Sequence, residues 1–313
     1  MAVQLLDRAS ASALERLADD YLNHCAARGL SPRTLDRCYG YALRAVFLPW
    51  CEQEGVREIA DLDIRTLDRF TSALLQRRRE DGKPLSRYSV HTYVRPVRQM
   101  LTWASTMGEE VRAKPQLPTR SKPLREVLSR EELDRLEQVA TSERDKLIIR
   151  IFGDCGMRLE ELMNLSPGDI VRSGRQAHLR VLGKRNRVRD VPIPPQLLRR
   201  LERHIAGRPE DRSTDRIFLA LRRSPRGEYE PLTVSGVYQV VTDSAARAGI
   251  RKHVHPHLLR HSWMTEMLRN GMNPIQLSII AGTSIQVISD HYTHLNKDDA
   301  YDSMIRVLTA TRR

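Results

Sequence analysis

Long apolar runs are missing from this sequence. No stretch approaches the roughly 20 consecutive apolar residues that a membrane-spanning helix needs. The opening MAVQLLDRASAS also lacks the basic-then-apolar order of a secretory signal, so the expected location is the cytoplasm. Cysteine is scarce: Cys25, Cys38, Cys51 and Cys155 lie far apart on apparent helices and form no C-x-x-C pair. That argues against a disulfide framework or a thiolate metal knuckle and leaves reduced, half-buried thiols. Acidic residues form no cluster that would seat a divalent cation. Internal repeats and low-complexity tracts are absent as well, which removes solenoid and linker-like classes.

Positive charge, by contrast, is abundant. Lys and Arg number 52 against 39 Asp and Glu, a formal net charge of +13. Arginine supplies most of it, and its planar, forked guanidinium suits bidentate contact with phosphate. Such a balance points first to nucleic acid and second to an anionic membrane surface, and no anchor supports the second. A chain of 313 residues is long enough for two ordinary domains, each with its own core.

From about Ala11 to Met107 the pattern is helical. Leu14, Leu17, Tyr21, Leu22 and Cys25 recur every three or four residues, as one buried stripe requires. Gly29 stops that helix, and Ser31-Pro32 restarts the chain with a capping side chain followed by proline at the first helical position. The second helix runs to about Glu54. A third turns Ile64, Leu67, Phe70, Leu74 and Leu75 toward the core and ends in Arg77-Arg78-Arg79, which is either a solvated face or a track for a phosphate backbone. A fourth begins at Ser86 or Ser89 and passes through Tyr93, Val97, Met100, Leu101 and Trp103, with Pro96 expected to bend it. Residues 1–107 thus form a helical domain. The segment 108–125, with three prolines and little periodicity, suits an exposed linker.

The second domain, 126–313, opens on the capping box Ser129 to Glu132. Between Asp169 and Pro194 the period changes to two, and HLRVLG and RVRDVPI read as short strands joined by a turn over Lys184 to Arg187. Beyond Pro195 the helical pattern returns to the end.

Three segments hold polar residues that folding alone would not place there. In Gly156-Met157-Arg158-Leu159-Glu160-Glu161-Leu162 an arginine follows a glycine at a helix start; by itself this is an ordinary pair three residues apart, worth tenths of a kcal/mol. In His255-Pro256-His257-Leu258-Leu259-Arg260-His261, His257 and Arg260 share a helix face with His261, so two donors could grip one phosphate. The four-residue spacing of His257 and His261 also suits zinc, but no glutamate follows the first histidine and no acidic ligand cluster lies nearby, which makes metal the lesser reading. The third segment is Asp290-His291-Tyr292-Thr293-His294, whose tyrosine alone would pass for a structural residue.

In this order, G-x-R-x-x-E-L, H-x-L-R-H and a tyrosine in a Y-T-H context, the chain resembles the tyrosine recombinase (phage integrase) family over nearly its whole length. The resemblance implies a mainly α fold: a helical core-binding domain and a mainly helical α+β catalytic domain with a small antiparallel sheet, closing as a clamp around DNA. It assigns catalysis to Arg158, Lys184, His257, Arg260 and the nucleophile Tyr292, with Glu161 and His261 in support. Arg77, Arg78, Arg79, Arg87, Arg95, Arg185 and Arg187 are candidate phosphate contacts. It further implies a double-stranded recombination site as partner, a homotetramer with exchange of the C-terminal helix 299–308, neither metal nor other cofactor, and action at the prokaryotic nucleoid. One position departs from the pattern. Nine residues before the tyrosine the family carries histidine or tryptophan; this chain has Thr283, a catalytic candidate that can still offer a hydroxyl to a phosphate oxygen but is shorter and unable to carry charge. That departure motivates one rival, a DNA binder that has lost catalysis; a topoisomerase acting on a single duplex is another.

Overall fold

The structure, a computed structural model, describes residues 12–119, 126–174, 176–183 and 187–292, with the side chains of 290–292 excepted, and positions 301, 304, 305 and 309. The chain divides into two compact units, Met1–Pro123 and Leu124–Arg313.

Helix α1, Ala13–Ala27, starts from a reciprocal capping box between Ser12 and Glu15 and buries Leu14, Ala18, Tyr21, Leu22 and Cys25. α2 is a contiguous rod of three sections, Pro32–Thr34, Leu35–Phe47 and Leu48–Gln53, the middle one wound as a π-helix. α3 spans Ile64–Gln76 and α4 spans Arg87–Thr106, each capped by the side chain before it, Asp63 and Ser86. The core between them is built on Phe47, Phe70, Leu43, Leu67, Met100 and Leu101, with Phe47 meeting Phe70 edge-on at 5.1 Å. Two residues expected in this core lie outside it: Ile64, in the first turn of α3, is 54% exposed, and Leu75, off the stripe of Leu67, Phe70 and Leu74, is 38% exposed. The start of the expected exposed linker also packs down. Val111 and Ala113 rest against the same core, Pro115 is buried, and its carbonyl accepts from Arg98 at 2.8 Å.

The second unit begins with α5, Arg130–Gln138, which opens on the expected capping box. α6 (Glu143–Cys155) and the short α7 (Leu159–Asn164) follow. Among the described residues one sheet is found, antiparallel, in the order β1 (Ile170–Ser173), β2 (Gln176–Leu182), β3 (Val188–Pro192). The sequence marks β2 and β3; β1, only four residues long, is an addition. α8 (Pro195–Ala206) and α9 (Val234–Arg247) flank a stretch, 207–233, that departs from the expected helix. It is irregular chain pinned by Ile217 and Phe218, both buried, and by an isolated bridge between Leu219 and Pro231.

α10, Pro256–Arg269, is enclosed on nearly every side, which is why it shows no polar stripe. Leu258 and Leu259 enter the main core, while Trp263, Met264 and Leu268 build a second cluster with Leu277, Ala281 and Ile288. Through that cluster α10 carries α11 (Pro274–Ala281) and α12 (Ile285–Tyr292). Cys25, Cys51 and Cys155 are buried and Cys38 is exposed; burial pushes the Cys51 thiol up to about 12, so it stays protonated and inert.

Candidate active site

The site forms where two glycine turns meet. Gly156 ends α6 in the left-handed region at φ 59°, and Gly282 ends α11 in the same region at φ 60°. Both positions demand glycine twice over. A Cβ on Gly156 would lie 2.0 Å from the Trp263 ring, and one on Gly282 would lie 2.8 Å from Cδ of Arg189. Their carbonyls are then free to accept from arginines.

Arg158 precedes α7. Its backbone N–H donates to Oε2 of Glu161 at 2.7 Å and its guanidinium to Oε1 at 2.8 Å. A second nitrogen of the guanidinium donates to the Gly282 carbonyl. Arg260, from the first turns of α10 and only 5% exposed, donates to the carbonyls of Gly156 and Ala281. A third cation, Arg189 of β3, forks onto both oxygens of Glu161 and donates through Nε to the Ile280 carbonyl at 2.8 Å. Three consecutive carbonyls, Ile280, Ala281 and Gly282, thus each accept from a different arginine. They are the unsatisfied acceptors at the negative end of α11, and that helix end gathers the three guanidiniums.

Glu161 is the counterpart on the opposite side, with four donors on its two oxygens. This is far from the weak surface pair that the spacing alone suggests. Burial raises its carboxyl, but the hydrogen bonds from Arg189 and the Arg158 amide and the charge of Arg189 outweigh that, lowering it from 4.5 to about 2. A carboxyl held below its unfolded value contributes stability that is complete above about pH 4.5 and lost as pH falls toward 2. The displacement corresponds to about 3 kcal/mol. Denaturant titrations of the wild type should therefore lose stability across that window by an increment that Glu161→Gln does not show; parallel pH curves for the two proteins would refute it.

Apart from Glu161, no carboxylate bonds to these three guanidiniums among the described residues. Burial, then the charge of Arg158, pushes Arg260 down to about 9, still protonated at neutral pH. His257, exposed on the first turn of α10, is lowered by desolvation and then by Arg260 and Arg158. Its imidazole is therefore neutral near pH 7. In both, the charges of neighbouring arginines add to the effect of desolvation, and an arriving phosphate would offset that electrostatic part. His261, one turn on, is buried and accepts from Thr265 through its carbonyl. His257 and His261 thus part, one toward solvent and one inward. Among the described residues, no group of three or more His, Cys, Asp or Glu side chains is placed to hold a metal.

Thr283 is half-buried at the turn after Gly282, its N–H donating to the Ser278 carbonyl at 3.0 Å. α12 follows and is anchored by Ile288, which is fully buried. Tyr292 is its last residue; its side chain lies outside the described residues, as do Lys184 and Arg185. The loop that carries Lys184 is fixed at its base, where the Gly183 N–H donates to the Arg187 carbonyl at 2.8 Å. Gly183 also lies against the Arg158 guanidinium, 3.9 Å from where a Cβ would stand. Arg187 is exposed on this loop. In the other unit Arg77, Arg78, Arg87 and Arg95 are exposed, and Arg79 is paired with Asp81. Arg189 falls in none of the three motif segments. Its signal was present: Arg189 lies two residues from Val191, and period two places it on the face that Val191 buries.

A family model described as the phage integrase family matches residues 126–299. The tyrosine recombinase XerA of Thermococcus onnurineus (strain NA1) is 30% identical over 300 residues, 91% of this chain and 94% of its own length. The tyrosine recombinase XerC of Xylella fastidiosa (strain 9a5c) is 27% identical over 292 residues, 90% and 93% of the two chains. Among solved structures, the Tn1549 transposon integrase in complex with transposon right end DNA is similar at a TM-score of 0.70 and 17% identity, covering 94% of this chain and 99% of that one. The XerH site-specific recombinase in its post-cleavage complex with a palindromic difH substrate is similar at 0.67 and 19%, covering 86% and 78%. These structures share the fold, and the sequence matches establish the kinship. The chain belongs to the phage integrase family of tyrosine recombinases, which cleave and rejoin DNA.

Proposed function

We propose that this protein is a site-specific recombinase in which Tyr292 attacks a DNA phosphodiester, holds the broken strand as a 3′-phosphotyrosyl ester, and passes it to the 5′ hydroxyl of a second duplex. The observation that carries this reading is the gathering of Arg158 and Arg260 beside His257, next to the helix that ends at Tyr292. Displacement at phosphorus loads negative charge on the nonbridging oxygens, and two fixed guanidiniums can neutralise it as metals do elsewhere. Neutral His257 hydrogen-bonds a nonbridging oxygen or takes the phenol proton. Lys184, next in sequence to the Gly183 that lies near Arg158, protonates the leaving 5′ oxygen, since an ammonium releases a proton where a guanidinium does not. Thr283 offers a hydroxyl to phosphate in place of the family's histidine or tryptophan.

Tyrosine suits a reversible transfer. A phenol with a free pKa of about 10 yields both a fair nucleophile and a fair leaving group, so the ester keeps the bond energy and no ATP or metal is needed. Residues 1–107 serve as the core-binding domain, 108–125 as linker and 126–313 as catalytic domain. The exposed arginines of both meet phosphate, so binding weakens steeply with salt. Four copies act on two duplexes through a Holliday junction, each lending its terminal helix to a neighbour. The exposure of Tyr301, Met304 and Ile305, at 61%, 53% and 39%, supports such docking, because a short apolar tail is stabilised mainly by packing.

The binding site is found by selecting bound duplexes from a random library, and the test then uses that site nicked near the cleavage position in the presence of EDTA. A denaturant-stable adduct should form, and mass spectrometry of the digested adduct should place the phosphodiester on the peptide that contains Tyr292. An adduct that EDTA abolishes, or one mapped to another residue, would overturn the mechanism.

A further inference from the structure

Arg189 is more enclosed than Arg158: 9% of its side chain is exposed, against 28%. Its guanidinium is committed inside the protein, one edge to Glu161 and Nε to the Ile280 carbonyl. Enclosing a charged group is unfavourable unless its donors are answered, and here they are answered by parts of the chain far apart in sequence. β3 leads out of the loop that carries Lys184. Glu161 fixes Arg158. The Ile280 carbonyl belongs to the helix end that also receives Arg158 and Arg260 and that leads, through Gly282 and Thr283, to the helix of Tyr292.

We propose that Arg189 is a positioning residue for strand cleavage: without touching the phosphate, it holds Glu161 and the end of α11 in one frame and so sets where Arg158 points. This role rests on the reading of Tyr292 as nucleophile. Each Glu161 oxygen accepts one bond from Arg158 and one from Arg189. Without Arg189 the carboxylate keeps its Arg158 bonds but loses the partner that fixes its own orientation, and Arg158 moves with it. A misplacement of about 1 Å at such a site costs on the order of 100-fold in rate. Lysine is a poor substitute, because a single ammonium cannot fork onto a carboxylate and also reach the Ile280 carbonyl.

The test compares the wild type with Arg189→Lys and Arg189→Met on the nicked, selected duplex, measuring melting temperature, DNA affinity and the rate of adduct formation against pH. Both variants should melt cooperatively and bind DNA within about threefold of the wild type, while cleavage at pH 7 falls at least about tenfold for Lys and further for Met. The groups facing Glu161 are Arg158, Arg189 and, at longer range, Arg260. With Arg189 gone its carboxyl rises, so Arg189→Met should show an acid limb in the ordinary carboxylate range that is absent from the wild type and disappears when Glu161→Gln is added. Cleavage within threefold of the wild type, or a loss matched by an equal loss of DNA affinity with an unchanged pH profile, overturns the role. Should Arg189→Met fail to fold, Arg189→Lys decides on the same rates and affinities. A wild type that forms no adduct would instead overturn the nucleophile assignment, and this role with it.

Discussion

Tyr292→Phe is expected to bind the selected duplex as tightly as the wild type and to form no covalent adduct with it. The change removes one oxygen, keeps the aromatic ring and leaves the charges that set DNA affinity untouched. What it removes is the atom that would become the ester oxygen, and no slower route through a neighbouring residue should replace it. Tyr301 supplies the internal control: it is a second phenol, nine residues on and 61% exposed. An adduct that survives in Tyr292→Phe and disappears in Tyr301→Phe would reassign the nucleophile. Loss of adduct together with loss of binding would instead point to a folding defect.

Arg260→Ala should lower the rate of cleavage by on the order of 10³-fold while the protein remains folded. The two effects have different origins. For catalysis, the proposed mechanism makes this guanidinium one of two fixed charges at the phosphate, and removing one aligned donor from such a site costs about 3–4 kcal/mol of transition-state stabilisation. For stability, Arg260 is enclosed beside Arg158 and Arg189, and desolvation and like charge both weigh against it. Its loss leaves the carbonyls of Gly156 and Ala281 without a donor but relieves that repulsion, so the melting temperature should change little or rise. Arg260→Lys separates charge from shape: it keeps a cation but cannot span two carbonyls and a phosphate oxygen, and it should remain at least tenfold slow. A rate within tenfold of the wild type for Arg260→Ala would place the phosphate elsewhere.

Much of the frame was legible because it rests on local rules. The Ser129 box, the Ser31-Pro32 restart and the stripe from Leu14 to Cys25 appear in the structure where spacing and capping chemistry put them. Spacing alone does not separate Ile64 and Leu75 from the core, because it does not say where a stripe ends or how wide it is: Ile64 lies in the first turn and Leu75 beside the stripe. The expected helix over 207–233 has no apolar stripe behind it: its apolar residues are few and unevenly spaced, and Pro209, Pro225, Gly227 and Pro231 interrupt it. Its order comes from distant partners, as when the Ile217 N–H donates to the Leu165 carbonyl at 2.8 Å. At the site, the order of Arg158, His257, Arg260 and Tyr292 was visible as a pattern. Which partners the cations share was not, because those partners are backbone oxygens, which every residue carries and no sequence distinguishes. Arg189 escaped notice for the related reason that a charged residue in a short strand is ordinarily taken to face water.

The end of α11 has a consequence for how variation at this site would be read. Its three acceptors at Ile280, Ala281 and Gly282 are main-chain carbonyls, and no side-chain substitution removes them. A deep mutational scan would register Ala281 as a packing position and Gly282 as a conformational one, and would pass over Ile280 almost entirely. The group that organises three arginines would go unscored. Weakening it takes a change of the polymer itself: replacing the following amide by an ester lowers the basicity of one carbonyl and leaves every side chain in place.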